Sequence, residues 1–157
     1  MNVQEQIKVL KAQISSSQEL LTKLEDQIKK EQEFPKMGDI YWRIDDRGSV
    51  DNCMYNNYYT DNHRQAIGNF FKTEEQAEFA VEKLKVEKEV NDFRSPFIFG
   101  RRNWYLFMDE NKQIFPIFDL DEVTYGVVYF ESKEKAQEAI DTVGIDRIKK
   151  YIFGEGE

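Results

Sequence analysis

The chain has 157 residues, 22 Lys+Arg against 30 Asp+Glu, one Cys, one His, and 12 Phe, 8 Tyr and 2 Trp. This length accommodates one or two small domains, and a single cysteine, Cys53, excludes a disulfide framework or a multi-cysteine zinc site within one chain and suits a reducing cytoplasm. The net charge of −8 disfavours broad phosphate-backbone binding, no apolar run approaches the ~20 residues that cross a bilayer, and the N-terminus has no signal-peptide apolar region.

Residues 1–34 are set apart by composition. Up to Glu33 they contain no aromatic, Gly or Pro, and Lys8, Lys11, Lys23, Lys29 and Lys30 nearly balance Glu5, Glu19, Glu25, Asp26, Glu31 and Glu33. Ile7, Ile14, Leu21 and Ile28 occupy one heptad position and Val3, Leu10, Ser17 and Leu24 another, with spacing that alternates three and four. Such a seam is the signature of a coiled coil, and mostly Ile at a with Leu at d favours a parallel dimer. Ser17 weakens the middle, Leu20 at g widens the apolar face towards a trimer, and Gln6, Gln13 and Gln27 at g select no charged partner. Ile7, Leu10, Ile14, Leu21, Leu24 and Ile28 are therefore the expected oligomerisation residues. The competing reading is an amphipathic helix folded onto its own domain. Pro35 disfavours helical geometry at Phe34 and marks the boundary.

Two related units follow, 38–95 and 96–157. Phe71-Lys72-Thr73-Glu74-Glu75-Gln76-Ala77 aligns with Phe130-Glu131-Ser132-Lys133-Glu134-Lys135-Ala136 at an offset of 59, an internal repeat. Each segment is an aromatic strand end, a Thr or Ser cap and a helix start. Thr73 with Gln76 has capping-box spacing, whereas Ser132 is a simple cap. Upstream of each lies an aromatic hairpin: Tyr41–Ile44 turns through Asp45–Gly48, and Trp104–Met108 through Asp109–Lys112. The spacing predicts helices over 74–91, up to a C′ glycine at Gly144, and over 146–151, with strands at 103–108, 113–118 and 124–130. The expected fold is α+β: an N-terminal coiled-coil helix, then two hairpin–helix units that share one antiparallel sheet or pack side by side.

Gly38-Asp39-x-Tyr41-Trp42-x-Ile44-Asp45, then Gly68-Asn69-x-Phe71-Lys72-Thr73-Glu74-Glu75-x-Ala77-Glu78, and the ending Gly144-x-Asp146-Arg147-Ile148-Lys149-Lys150-Tyr151-x-Phe153-Gly154 resemble accessory proteins of Gram-positive phages and prophages. The resemblance covers most of the chain, and a short coiled-coil start fits it. It implies a phage origin and the bacterial host cytoplasm as location. That group has no agreed activity, so no catalytic residue carries over; small phage proteins of this class often inhibit bacterial defence or modulate host machinery.

Candidate chemistry is sparse. His63 has Asp61 two residues away but no accompanying nucleophile, and Cys53 sits at no helix start. Asp45, Asp46 and Asp51, like Asp119, Asp121 and Glu122, lack the full calcium-loop series and the His or Cys partners of a transition-metal site. The expectation is no enzyme, no cofactor and no metal. The stretch Asn52–Asn62 is the strongest positive feature, because Tyr and Asn combine rigid contact area with adaptable hydrogen bonding. Tyr55, Tyr58, Tyr59, Asn62 and Arg64 are the expected partner contacts, with Arg101, Arg102 and Trp104 as a second, basic-aromatic patch. Residues 38–95 and 96–157 each carry 8 basic and 12 acidic side chains. The leading expectation is an inhibitor that binds a bacterial defence or nucleic-acid-processing complex stoichiometrically, a CRISPR effector being one such target. Nucleic acid is not the expected partner, and none lies in a membrane. The alternatives are nucleic-acid or nucleotide binding on the aromatic platform, and a structural phage component.

Overall fold

A helix of 30 residues, α1 (Val3–Gln32), leads into β1 (Ile40–Ile44), β2 (Val50–Met54), α2 (Tyr59–Ala66), α3 (Glu74–Asn91), β3 (Asn103–Met108), β4 (Ile114–Asp119), α4 (Lys133–Val143) and α5 (Ile145–Tyr151). The computed structural model describes residues 2–32 and 34–155, the side chains of 28–32 excepted. The class is α+β, as the patterning predicts. The strands form two separate two-stranded sheets, β1–β2 and β3–β4, rather than one shared sheet.

The chain divides into two compact units, one of Met1–Arg43 and Asp51–Thr73, the other of Ile44–Val50 and Glu74–Glu157. The division after Thr73 falls inside the first copy of the sequence repeat, 38–95. In the first unit Phe70 is the apolar centre: its ring stacks on Tyr41 at 3.9 Å, meets Tyr55 edge-on at 5.9 Å and Phe34 at 5.7 Å. Trp42 pairs with Phe71 through two backbone hydrogen bonds of 2.8 Å.

The second unit is built on the β3–β4 hairpin, whose antiparallel register runs from Asn103 opposite Asp119 to Met108 opposite Ile114. Trp104 pairs with Phe130 just as Trp42 does with Phe71, at 3.3 and 2.7 Å. The aromatic residue ahead of each helix cap is thus tied to a hairpin tryptophan, which is the physical content of the repeat. Val86, Val90, Ile114, Phe130, Ala136, Ala139, Ile140, Val143 and Ile148 form the buried core. The small Ala136 and Ala139 let α4 lie close to the hairpin. Each large member contributes about 1.5–3 kcal/mol on burial. Arg147 donates to both Glu89 oxygens at 2.6 and 3.0 Å, tying α5 to α3.

The observed limits of α3, β3 and α5 follow the expected ones to within a residue, and Ser132 accepts the Lys135 N–H as a simple cap. Two segments differ. Residues 124–130 do not form a strand: Gly126 takes φ 80° in a turn, the Thr124 N–H goes to the Tyr129 hydroxyl at 2.6 Å, and only Phe130 pairs. The second half of the tyrosine-rich stretch forms α2, which sequence patterning does not anticipate because its one buried residue is Asp61.

Candidate interaction surface

The tyrosine-rich stretch is organised by a buried carboxylate. Asp61 is 3% exposed and accepts from the Tyr41 hydroxyl at 2.8 Å and from the backbone N–H groups of Asn56 and Tyr58, both at 3.1 Å. Tyr58 is the N-cap of α2 and Asp61 its N3 residue, so this carboxylate makes the return bond of a capping box and also faces the positive end of the helix. Burial raises its pKa, but the bonds from Asn56, Tyr41 and Tyr58 and the nearby Arg64 charge outweigh that and hold it below the usual carboxylate range. Burial pushes the Tyr41 hydroxyl up, against the opposing pull of Arg64.

The network continues across the sheet. Arg64 Nη1 donates to the Tyr41 hydroxyl at 2.7 Å and lies 3.7 Å from Cys53 Sγ. Arg43 Nε donates to the same sulfur at 3.2 Å, and Arg43 Nη2 pairs with Asp51 at 2.9 Å. These bonds place Tyr41, Arg43, Asp51 and Cys53 on the face of β1–β2 towards α2.

The expected contact residues separate accordingly. Tyr58 and Tyr59 are 67% and 77% exposed, and Asn62 is exposed beside them on α2. Tyr55 is half-buried against Phe70, its hydroxyl donating to Asn57 Oδ1 at 3.2 Å. Arg64 turns inward and holds the scaffold. His63 is exposed, its ring 4.0 Å from that of Tyr59. Asp61, the residue that fixes the loop, is absent from the residues expected as contacts; the Tyr58-x-x-Asp61 spacing is the signal that finds it, once Tyr58 is read as an N-cap.

In the second unit Arg101 and Arg102 are exposed, with the Arg102 guanidinium 5.0 Å over the Phe118 ring. Trp104 is half-buried against the core, 5.0 Å from Phe118. It belongs to packing more than to a free platform.

Every described side chain of α1 is exposed. Along the seam Ile7, Leu10, Ile14, Leu21 and Leu24 are 47–57% exposed, and the alternative in which the helix folds onto its own domain is not realised among the described residues. The side chain of Ile28 lies outside the described residues. No cluster of three or more His, Cys, Asp or Glu is placed to hold a metal among the described residues. No described helix is long and apolar enough to cross a membrane. The chain matches no protein-family model, no curated protein and no solved structure.

Proposed function

We propose that the chain is a non-catalytic interaction protein that acts as a homodimer through α1 and binds a host protein complex stoichiometrically. In the phage setting the sequence resemblance implies, the target class is a bacterial defence or nucleic-acid-processing complex, a CRISPR effector among them, in the host cytoplasm. The observation that carries the reading is the exposed a/d seam from Val3 to Leu24, about three heptads of Ile, Leu and Val broken by Ser17, which none of the described residues covers. A second copy of α1 covers it in the geometry the seam prescribes. Tyr58, Tyr59 and Asn62, held at the start of α2 by Asp61, supply the adaptable contact group. Two copies per dimer raise avidity without any new contact.

Light scattering on the full chain tests the assembly: a dimer mass is expected, and Leu10→Asp with Ile14→Asp returns it to a monomer. A monomeric wild type at tens of micromolar removes the coiled coil. Affinity purification of the tagged chain from infected cells tests the target. Tyr58→Ala with Tyr59→Ala should release a captured host complex while leaving the dimer mass unchanged.

A further inference from the structure

β3 and β4 read Asn-Trp-Tyr-Leu-Phe-Met and Ile-Phe-Pro-Ile-Phe-Asp. Strands without polar alternation are apolar on both faces, the pattern of a sheet covered on both sides. Within the second unit the core covers one face, and the other is covered only at one end. The register sets Trp104, Leu106 and Met108 opposite Phe118, Pro116 and Ile114 on the core side, where α4 packs. Tyr105, Phe107, Phe115 and Ile117 fall on the other face. One end of that face is closed by the loop before β3: the Asn103 side chain holds the Ile98 N–H and C=O and the Arg101 C=O. Phe97 lies 5.0 Å from Tyr129, whose ring meets Tyr105 at 5.8 Å. Beyond Tyr105 the face is open, with Phe107 42% and Phe115 39% exposed and their rings 5.7 Å apart.

Trp104 uses its backbone groups on Phe130, so the alternation of bonded pairs turns the backbone of Pro116, opposite Leu106, towards the outer edge of β4. Proline offers no N–H there, and strand addition to that edge is blocked. Charge selects the occupant. Glu110 flanks the Phe107–Phe115 end, Asp121 and Glu122 follow the other end, all three exposed, and Asp119 lies at the end of the face itself. The local cations are Lys112, paired with Glu155 at 3.2 Å, and Arg101 and Arg102, the last stacked on Phe118 of the core side. A second copy docked face to face would bring like carboxylates together.

We infer that the Tyr105–Phe107–Phe115–Ile117 face is a docking surface for a cationic amphipathic segment of a partner protein, aliphatic side chains on the rings and Lys or Arg towards the carboxylates. The inference rests on the interaction-protein reading but uses neither α1 nor Tyr58 and Tyr59. The test uses the full chain and an 18-residue fluorescent Leu/Lys amphipathic peptide, with its Leu/Glu counterpart, by anisotropy at physiological salt. Saturable binding of the Leu/Lys peptide alone is expected. Phe107→Thr with Phe115→Thr should weaken it about tenfold or more, as should Asp121→Lys with Glu122→Lys, which leaves the strands untouched; Tyr58→Ala with Tyr59→Ala should not. Equal affinity of the Phe variant and the wild type, or of the two peptides, overturns the inference. So does a particle mass that drops on the Phe107 and Phe115 changes, which makes a second copy the occupant. Loss of the captured host complex in the Tyr58 and Tyr59 variant, with peptide binding absent, sinks this inference and leaves the broader reading standing; peptide binding with no host capture does the reverse.

Discussion

The two hairpins share a scaffold and differ in what fills it. Both turns are anchored by an aspartate: Asp45 accepts from the Arg47 and Ser49 N–H groups at 2.9 and 2.8 Å, and Asp109 accepts from the Gln113 N–H at 2.7 Å. Both hairpins pair a tryptophan with the aromatic residue ahead of the next helix. Behind the first, however, lies a polar network around Asp61, whereas the second rests on aliphatic side chains from three helices. The helix that follows the first hairpin, α3, supplies Val86 and Val90 to the second core. The repeat is therefore a copy of elements, and packing has reassigned one of them.

The largest expected effect contrasts the two bridging aromatics. Phe130 is 1% exposed in the second core, so Phe130→Ala should cost about 3–5 kcal/mol in urea denaturation. Phe71 is half-buried, and Phe71→Ala should cost less than half as much, because less area is lost and water refills the gap. Equal losses would mean that the bridge, not the filling, sets stability.

Next comes the polar filling of the first unit. Asp61→Ala strands the Tyr41 hydroxyl and two backbone N–H groups without their acceptor, which costs about 2–3 kcal/mol. The acid limb tests the charge separately. A carboxyl whose pKa is lowered on folding gives stability that is present above its unfolded value, about 3.9, and that is lost as pH falls through the lower folded value. Between pH 5 and 2 the wild type should lose more stability than Asp61→Asn does. Glu89, Asp45 and Glu134, also lowered, titrate in both proteins and drop out of the difference. Parallel curves would show that folding leaves the Asp61 pKa unshifted.

What the sequence discloses divides along the same line. The helices and the β3–β4 hairpin of the second unit are legible because aliphatic periodicity, the Ser132 cap and Gly144 state their purpose locally. The α+β class and α1 are legible for the same reason: heptad spacing is a one-dimensional signal. α2 is not, because its stability comes from Asp61 bonding residues 20 and 5 positions away, and hydrophobic patterning carries no trace of a buried carboxylate. Residues 124–130 look like a strand by composition, yet Gly126 and the Thr124–Tyr129 bond take 124–129 out of strand pairing and leave Phe130 alone bridged to β3. The exposure of Tyr58 and Tyr59 and the inward position of Arg64 go with that same hidden carboxylate.

The smallest expected effect lies in the turns themselves, where the scaffold is most alike. Gly48 sits at φ 79° and Lys112, its counterpart three residues after the anchoring aspartate, at φ 62°. Left-handed backbone costs a non-glycine residue about 1 kcal/mol, so the second turn carries a strain that the first avoids. Lys112→Gly should therefore stabilise the second unit by somewhat under 1 kcal/mol, since it also removes the ion pair to the half-buried Glu155, worth about 1 kcal/mol or less. Glu155→Gln in both backgrounds isolates that loss. Conversely, Gly48→Ala meets no atom within 4 Å of the added carbon, so its cost of about 1 kcal/mol is conformational alone. If Lys112→Gly destabilises even in the Glu155→Gln background, the two turns are not equivalent, and the likeness of the hairpins ends at their tryptophan bridges.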